Sequence, residues 1–570
     1  MLTTFLGWSY FSCLSILYGF LSLHAFRKLF RLHDDHPTDL PLLALLGFCS
    51  IGLITEALAV VMGINLAANL IILFGGLLIV LAWRQALYAD IHAGILRFRG
   101  WHPMLWLIFA AALLFVLVKS TDLPLNYDTG LYHTQTIRWI EAYGTVPGLG
   151  NLHARLAYNS VWFPLLSLTS LSFMSINSFH IAGSLLLLLT LLLLLDRLNA
   201  LSQGVIQLSS LMSLVLIFVS RRLFSRELSS PGTDMPTSLF FWVVLLLWVE
   251  KWERGESWEF DLDSVTLTSL SLYAVTIKLT ALPILLLPGA MLFSEVVRGH
   301  WRTIPPFCGL SLAIFLPWTV RGVILSGYLV YPFAPLDLFS FDWKIPGDQV
   351  LLRMIGDRSW ARSPGQVGSR ILRQPPWRWM PHWYRRQEGF DQQLLILALA
   401  SMLGFISTQW LVRRDRVLFG KSDLAFWLPY IACGAGLVYW IYSAPYVRFG
   451  YPVLGILIAL AISPGIAWIL ARLHGLRTIF VTVALASAIA VHLVSLLVVD
   501  PGSLQERWIR SAPYPKIQSV ERQLGEQTIR IPKEGDQCWD TPIPCTPRVD
   551  TDLRPRGDSL ASGYRILAKD

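Results

Sequence analysis

Apolar stretches long enough, or nearly long enough, to cross a ~30 Å hydrocarbon core recur along the whole chain, and no other feature restricts the fold so severely. They run from Thr3 to Leu23, Leu42 to Met62, Leu66 to Trp83, Met104 to Val118, Phe179 to Leu195, Val205 to Val219 and Pro236 to Val249. The series continues with Val265 to Ile277, Leu282 to Val297, Ile304 to Ile324, Leu394 to Val412, Leu424 to Tyr442, Gly450 to Ile469 and Thr478 to Val499. A backbone in lipid must satisfy its hydrogen bonds within each segment, so runs of this length cross as helices. With 54% hydrophobic and 15% charged residues, the 570-residue chain falls outside the water-soluble class. The expected fold is an all-α polytopic membrane protein of about fourteen transmembrane helices. Several of the runs are short, notably the two around Lys251.

The formal net charge of +9 would point to an anionic partner in a soluble protein. Here much of the positive charge lies in short loops between apolar runs, where it sets orientation, so nucleic acid is not the expected partner. Basic groups at Arg27 to Arg31, at Arg84, Arg97 and Arg99, at Arg197, in Glu250 to Arg254, at Arg298 and Arg302, in Arg413 to Arg416, and at Arg472 and Arg477 share one side only if Ser160 to Ser175 does not span. The positive-inside rule makes that side cytoplasmic. Ser160 to Ser175 is then expected to lie along the outer surface as a half-buried helix, with Leu131 to Tyr143 as a second interfacial helix. The first apolar run reads as a retained helix, not a cleaved signal peptide, because it is long enough to span and the Arg27, Lys28, Arg31 group follows it.

By the same parity the unusual polar sequence collects on the extracytoplasmic side: Asp122 to Ser160, Ser220 to Asp234, the surroundings of Lys278, Gly327 to Asp391, Ser443 to Phe449 and the tail after Asp500. Ionisable groups at a hydrophobic boundary are costly to keep, so chemistry is the first hypothesis for them. A transporter would place such groups at mid-depth between repeats, and no Gly-rich nucleotide loop is present. The division is residues 1–100 as additional helices, 101–500 as a core with outer loops 120–178, 220–235 and 327–391, and 501–570 as a small tail.

Cys13, Cys49, Cys308 and Cys433 lie within apolar spans and read as small hydrophobes. Cys538 and Cys545 bracket CWDTPIPC in the polar tail, where an extracytoplasmic location favours a disulfide between them. The tail has too few apolar residues for a large core and is expected to dock on the outer loops or stay partly mobile. The run Trp377 to Arg386 reads as an interfacial aromatic belt or a cover for a donor.

An apolar helix, then an outer loop with an Asp (NYDTGLYH), an interfacial helix and a second interfacial helix (YNSVWFPLL) resembles the GT-C superfamily of integral-membrane glycosyltransferases. SSPGTDMPT and AVTIKLTALP match later acidic and lysine motifs of that superfamily. PWTVRGVILSGYLVYP, FDWKIP, APYVRFGYP and CWDTPIPC extend the likeness to a group of poorly characterised bacterial membrane proteins assigned to it, covering most of the chain after Met104. The first three spans are an addition to the usual core.

The resemblance implies transfer of a sugar, with inversion, from a polyprenyl-phosphate-type carrier to a cell-envelope glycan, lipid or protein acceptor on the extracytoplasmic face of a bacterial inner membrane. Such chemistry needs a carboxylate to align or deprotonate the acceptor, and Asp128 matches the motif position. It also needs fixed positive charge at the leaving phosphate, for which Lys278, Arg321 and Arg448 are candidates. Asp128 is alternatively an N-cap for the following helix, and Asp234 either a second acid or the cap of the helix that Pro236 begins. His133 either orients Asp128 or the acceptor or is a surface group, and Arg138 and Arg155 either bind phosphate or anchor at headgroups. No cofactor is assigned with certainty by the sequence. A divalent metal between Asp128 and Asp234 stays open, as does a non-enzymatic role as carrier, flippase or scaffold for lipid-linked sugars.

Overall fold

The computed structural model describes residues 1–32, 39–174, 178–366, 368–412, 424–494, 496–497 and 501–567. The basic group Arg413 to Arg416 lies outside them.

The chain opens with four long helices: α1 (Leu2–Phe30), α2 (Leu40–Val61), α3 (Leu66–Arg99) and α4 (Pro103–Ser120). Their starts carry ordinary capping chemistry. The Asp39 side chain accepts from the Leu42 N–H at 3.2 Å with Pro41 in the first turn, and the Asn65 side chain accepts from the Ala67 N–H at 3.0 Å. The expected third span stops at Trp83, yet the helix continues to Arg99 past a break in helical geometry at Trp83 (φ −130°, ψ 27°). Helices α1 and α2 meet backbone to backbone at Gly19 and Gly47, where a Cβ on Gly47 would lie 1.7 Å from the Ser15 carbonyl oxygen. Small residues permit such an approach between helices in lipid.

Next come the short helices α5 (Thr134–Tyr143), α6 (Leu149–Leu152) and α7 (Trp162–Thr169), with a π turn over Thr129–His133 leading into α5. Helices α8 (Ile181–Ser202), α9 (Leu208–Phe224), α10 (Asp234–Arg254), α11 (Leu262–Ile277), α12 (Leu286–Val297) and α13 (Ile304–Ser326) follow. The Gly327 to Asp391 stretch, expected as a loop, holds α14 (Gly347–Arg362), α15 (Ser369–Leu372) and α16 (Pro376–Arg385). Then come α17 (Gly389–Val412), α18 (Leu424–Ser443), α19 (Val447–Arg472), α20 (His474–Val494) and α21 (Pro501–Glu506).

Among the described residues, twelve helical segments are long and apolar enough to cross a membrane, counting α12 together with the 3-10 turns over Leu279–Leu285 that lead into it. The two other expected spans coincide with α9 and α11, of 17 and 16 residues, which fall short of that length. Both nevertheless run from one end of the bundle to the other. The α9 N-terminus receives the Glu253 carboxylate on its Leu208 and Ser209 N–H groups, while the chain just beyond its far end meets Asn126 through Glu227. Helix α11 begins at Asp261, paired with Lys251, and ends at Lys278, paired with Asp234. The bundle therefore has two distinct ends. Arg97, Arg197 and Glu250 gather with Asp39 and Asp196 at one, and the 120–180 segment, Lys278, Arg448 and the tail gather at the other.

Burial sorts the helices into centre and rim. Of the most apolar window, 89% is buried in both α8 and α10, against 17% in α20 and 22% in α17, so α8 and α10 form the axis and the other two face outward. Helix α7 was expected to be half-buried, but all eight of its residues are buried. A run as apolar as WFPLLSLT gains more from packing under α5 and against α2 than from lying at an interface. Helix α5 is likewise covered, since the tail closes over it. The tail pairs β1 (Ser519–Leu524) with β2 (Gln527–Pro532) and β3 (Leu553–Pro555) with β4 (Tyr564–Ile566), both antiparallel, and Cys538 is bonded to Cys545. Residues 501–567 thus add a little sheet to an otherwise helical chain, and they contact the loops at the Lys278 end of the bundle. In α16, Trp379 and Trp383 pack inward, with the Trp383 indole donating to the Pro445 carbonyl at 2.8 Å, while Trp377 stays 75% exposed. The belt is half a packing face.

Candidate active site

At the tail-covered end, a cavity of about 360 Å³ opens among the π turn, the 153–163 segment, the start of α10, the α11–α12 junction, the 330–358 region and the start of α19. Asp128, His133, Arg155, Asp234, Lys278 and Arg448 all line it. Six residues scattered over more than three hundred positions therefore share one enclosure.

The geometry explains how. Asp128 precedes the π turn and makes no capping hydrogen bond, so the capping alternative is not what its carboxylate does. The carboxylate instead pairs with the Arg448 guanidinium from the first turn of α19. Arg448 Nη1 donates to Asn126 Oδ1 at 3.0 Å, and its Nε lies 3.6 Å from Asp234 Oδ2. Asp234 is the first residue of α10, whose N-cap position is held by Thr233, and takes the Lys278 ammonium on its other oxygen. Lys278 sits where α11 has ended and also stands 3.4 Å above the Phe449 ring, a cation–π contact. The result is an alternating row of Asp128, Arg448, Asp234 and Lys278. Behind it, the Asn126 amide donates to Glu227 at 3.2 Å and the Thr129 and Ser230 hydroxyls meet at 3.1 Å, fixing the π turn against the 225–233 segment.

Burial raises the Asp128 carboxyl, but Arg448, with help from Arg155, more than offsets this and holds it below the ordinary carboxylate range. His133 is no surface group. It is 3% exposed, its ring packs on Phe163 at 5.5 Å, and burial pulls its pKa down to about 4, so the imidazole is neutral at pH 7.

Sequence reasoning missed the other side of the cavity. Arg353 contacts the Tyr158 hydroxyl at 2.6 Å and Asp357 at 2.9 Å, while Arg358 lines the cavity beside them. They belong to α14, inside a stretch read as loop; the i, i+4, i+5 spacing of Arg353, Asp357 and Arg358 was the available signal. Among the described residues, neither Arg155 nor Arg358 has a hydrogen-bonding or ion-pairing side-chain partner. The lining thus holds five cations (Arg155, Lys278, Arg353, Arg358, Arg448) against three carboxylates (Asp128, Asp234, Asp357), an excess of two positive charges.

Two expected phosphate ligands lie elsewhere. Arg138 is held outside the cavity by Asp540, Glu141 and Ser172. Arg321 is buried behind the cavity wall, donating to Asn159 Oδ1 at 2.7 Å and the Ser160 carbonyl at 3.3 Å, with Glu56 of α2 at 3.8 Å. It supports the wall from the protein side. Among the described residues, no group of three or more His, Cys, Asp or Glu side chains is placed to hold a metal ion, and Arg448 spans the gap between Asp128 and Asp234.

Residues 1–455 match the family DUF8201, a domain of unknown function. The chain belongs to the DUF8201 family. The match takes in every residue that lines the cavity and stops before the tail that covers the π turn. Comparison with curated proteins finds no match.

Proposed function

We propose that this DUF8201 protein is a membrane glycosyltransferase of the GT-C type. It transfers a sugar from a polyprenyl-phosphate-type carrier to a cell-envelope glycan, lipid or protein acceptor on the extracytoplasmic face of a bacterial plasma membrane. The observation that carries the proposal is a cavity, at one end of a helical bundle, that joins a buried carboxylate to an excess of cations, two of them guanidinium groups with no side-chain partner among the described residues. A neutral substrate would gain nothing from that excess, whereas a phosphate would.

In the proposed step the acceptor hydroxyl gives its proton to Asp128 as its oxygen bonds to the anomeric carbon from the face opposite the carrier. The bond from that carbon to the carrier phosphate breaks, and its electron pair leaves on the phosphate oxygen. Arg155 and Arg358 stabilise the charge that develops there, each charge-assisted hydrogen bond contributing about 1.5–3 kcal/mol. Arg448 neutralises Asp128 before substrate arrives. A phosphate that draws Arg448 away returns basicity to the carboxylate, which couples donor binding to proton abstraction. Neutral His133, behind Asp128, adds no further positive charge beside the base.

Reconstituted protein supplied with lipid-linked sugars and envelope acceptors tests the reading. Asp128→Asn is expected to fold and to abolish transfer. Full transfer by that variant, or movement of intact labelled carrier across the bilayer by wild type without loss of its sugar, would refute it.

A further inference from the structure

We infer that the loop from Asp536 to Thr541 is part of the active site, acting as a strap that holds the Tyr127–Arg138 segment so that Asp128 and His133 face the cavity, with Trp539 and Asp540 as its positioning residues. The catalytic role of Asp128 rests on the function proposed above; the strap does not.

The contacts alternate along both segments. The Gln537 side chain donates to the Tyr127 carbonyl at 2.8 Å, and the Tyr127 hydroxyl bonds Asp536. The Trp539 N–H donates to the Gly130 carbonyl at 2.8 Å. The Gln135 side chain returns donors to the Trp539 and Thr541 carbonyls at 3.1 and 2.7 Å. Arg138 grips Asp540 with Nε at 2.6 Å and Nη2 at 2.9 Å, a two-pronged charge-assisted pair. Asp128 lies between the fixed points at residues 127 and 130, and His133 between those at 130 and 135. Each cavity-facing side chain is thus bracketed by strap contacts on both sides.

Two further observations show that this is a built fit. The strapped segment contains a π turn, a geometry of poor intrinsic stability that persists where surroundings impose it. The Trp539 ring fills the place where a side chain at position 130 would be, since a Cβ on Gly130 would come 2.5 Å from it. Trp539 itself has φ +44°, a left-handed conformation that a bulky residue adopts only when its neighbours hold it there. The bonded and buried Cys538 and Cys545 close the loop, and Thr546, just past it, donates to the Leu152 carbonyl at 3.1 Å, so the strap is anchored at both ends. The strap itself lies beyond residue 455, outside the family match, whereas the segment it holds lies within it.

Hydrogen exchange on the full chain in nanodiscs, followed by mass spectrometry, tests the strap. Trp539→Ala and the double variant Cys538→Ser/Cys545→Ser are expected to speed exchange over residues 129–138 by about tenfold or more, leaving α8 and α10 unchanged. Trp539→Phe is expected to retain most of the protection. In sugar transfer, Trp539→Ala is expected to lower kcat by about tenfold with little change in KM for the carrier, as for a misplaced base. Unchanged exchange over 129–138, equal acceleration in α8 and α10, or an unaltered kcat would overturn the proposal. Locally lost protection in these variants, with a wild-type protein that transfers no sugar, would retain the strap and remove the transferase reading.

Discussion

Replacing Lys278 with Met removes the ammonium from Asp234 while keeping most of the apolar stem. Asp234 is 5% exposed, and its other cation, Arg448 Nε, stands at 3.6 Å, so the carboxylate is left with one imperfect partner. Breaking a buried pair from one side costs about 3–5 kcal/mol, chiefly because the surviving charge stays buried. The residual contact with Arg448 places this case near the lower figure, about 3 kcal/mol, or roughly 150-fold in the unfolding equilibrium. Removing both charges, as Lys278→Met/Asp234→Leu, leaves no uncompensated carboxylate and is expected to return to within about 1 kcal/mol of wild type. Reversible unfolding in mixed micelles, followed by tryptophan fluorescence, measures both. The reasoning fails if the single variant lies within about 0.5 kcal/mol of wild type or if the double variant is no more stable than the single.

Acid should loosen the protein through His133 before Asp128 titrates. His133 has a native pKa of about 4 against the ordinary 6.5, so between those values the unfolded chain binds a proton that the native one does not, and stability falls as pH drops through that window by up to about 3 kcal/mol. His133→Gln should flatten that part of the pH–stability curve, whereas the Asp128 contribution, from a depressed carboxyl, disappears only at lower pH. Gly47→Ala must part α1 from α2, because its Cβ would meet the Ser15 carbonyl at 1.7 Å; a loss of about 1–3 kcal/mol and faster hydrogen exchange in residues 2–30 are expected. Arg358→Gln should raise the KM for a lipid-phosphate donor by about 10- to 150-fold, the loss of one charge-assisted contact, with Arg358→Lys recovering part of it.

Helix existence was legible because each apolar run reports its own burial. The fourteen runs coincide with fourteen helices even where, as at Trp83, the end was misread: a polar amphipathic continuation carries no apolar signal although its backbone stays helical. The convergence of Asp128, Asp234, Lys278 and Arg448 followed from parity, since all were assigned to one side. What parity does not supply is lateral position. Arg138 and Arg321 share that side and differ from Arg155 only in what packs beside them, which depends on the tail and on Glu56, contacts separated by hundreds of residues. Arg358 was overlooked because α14 scatters its apolar residues, such as Val350, Leu352, Ile355 and Trp360, around the helix instead of along one face, so no amphipathic period marks it.

The surplus of two guanidinium groups bears on selectivity. A site that attracts phosphate by charge alone cannot tell a scarce isoprenoid carrier from the bulk anionic phospholipids around it, which are far more numerous. On the proposed function, phosphatidylglycerol or cardiolipin would then act as competitive inhibitors, and discrimination would fall to the outline of the aromatic walls formed by Tyr132, Tyr158 and Tyr331.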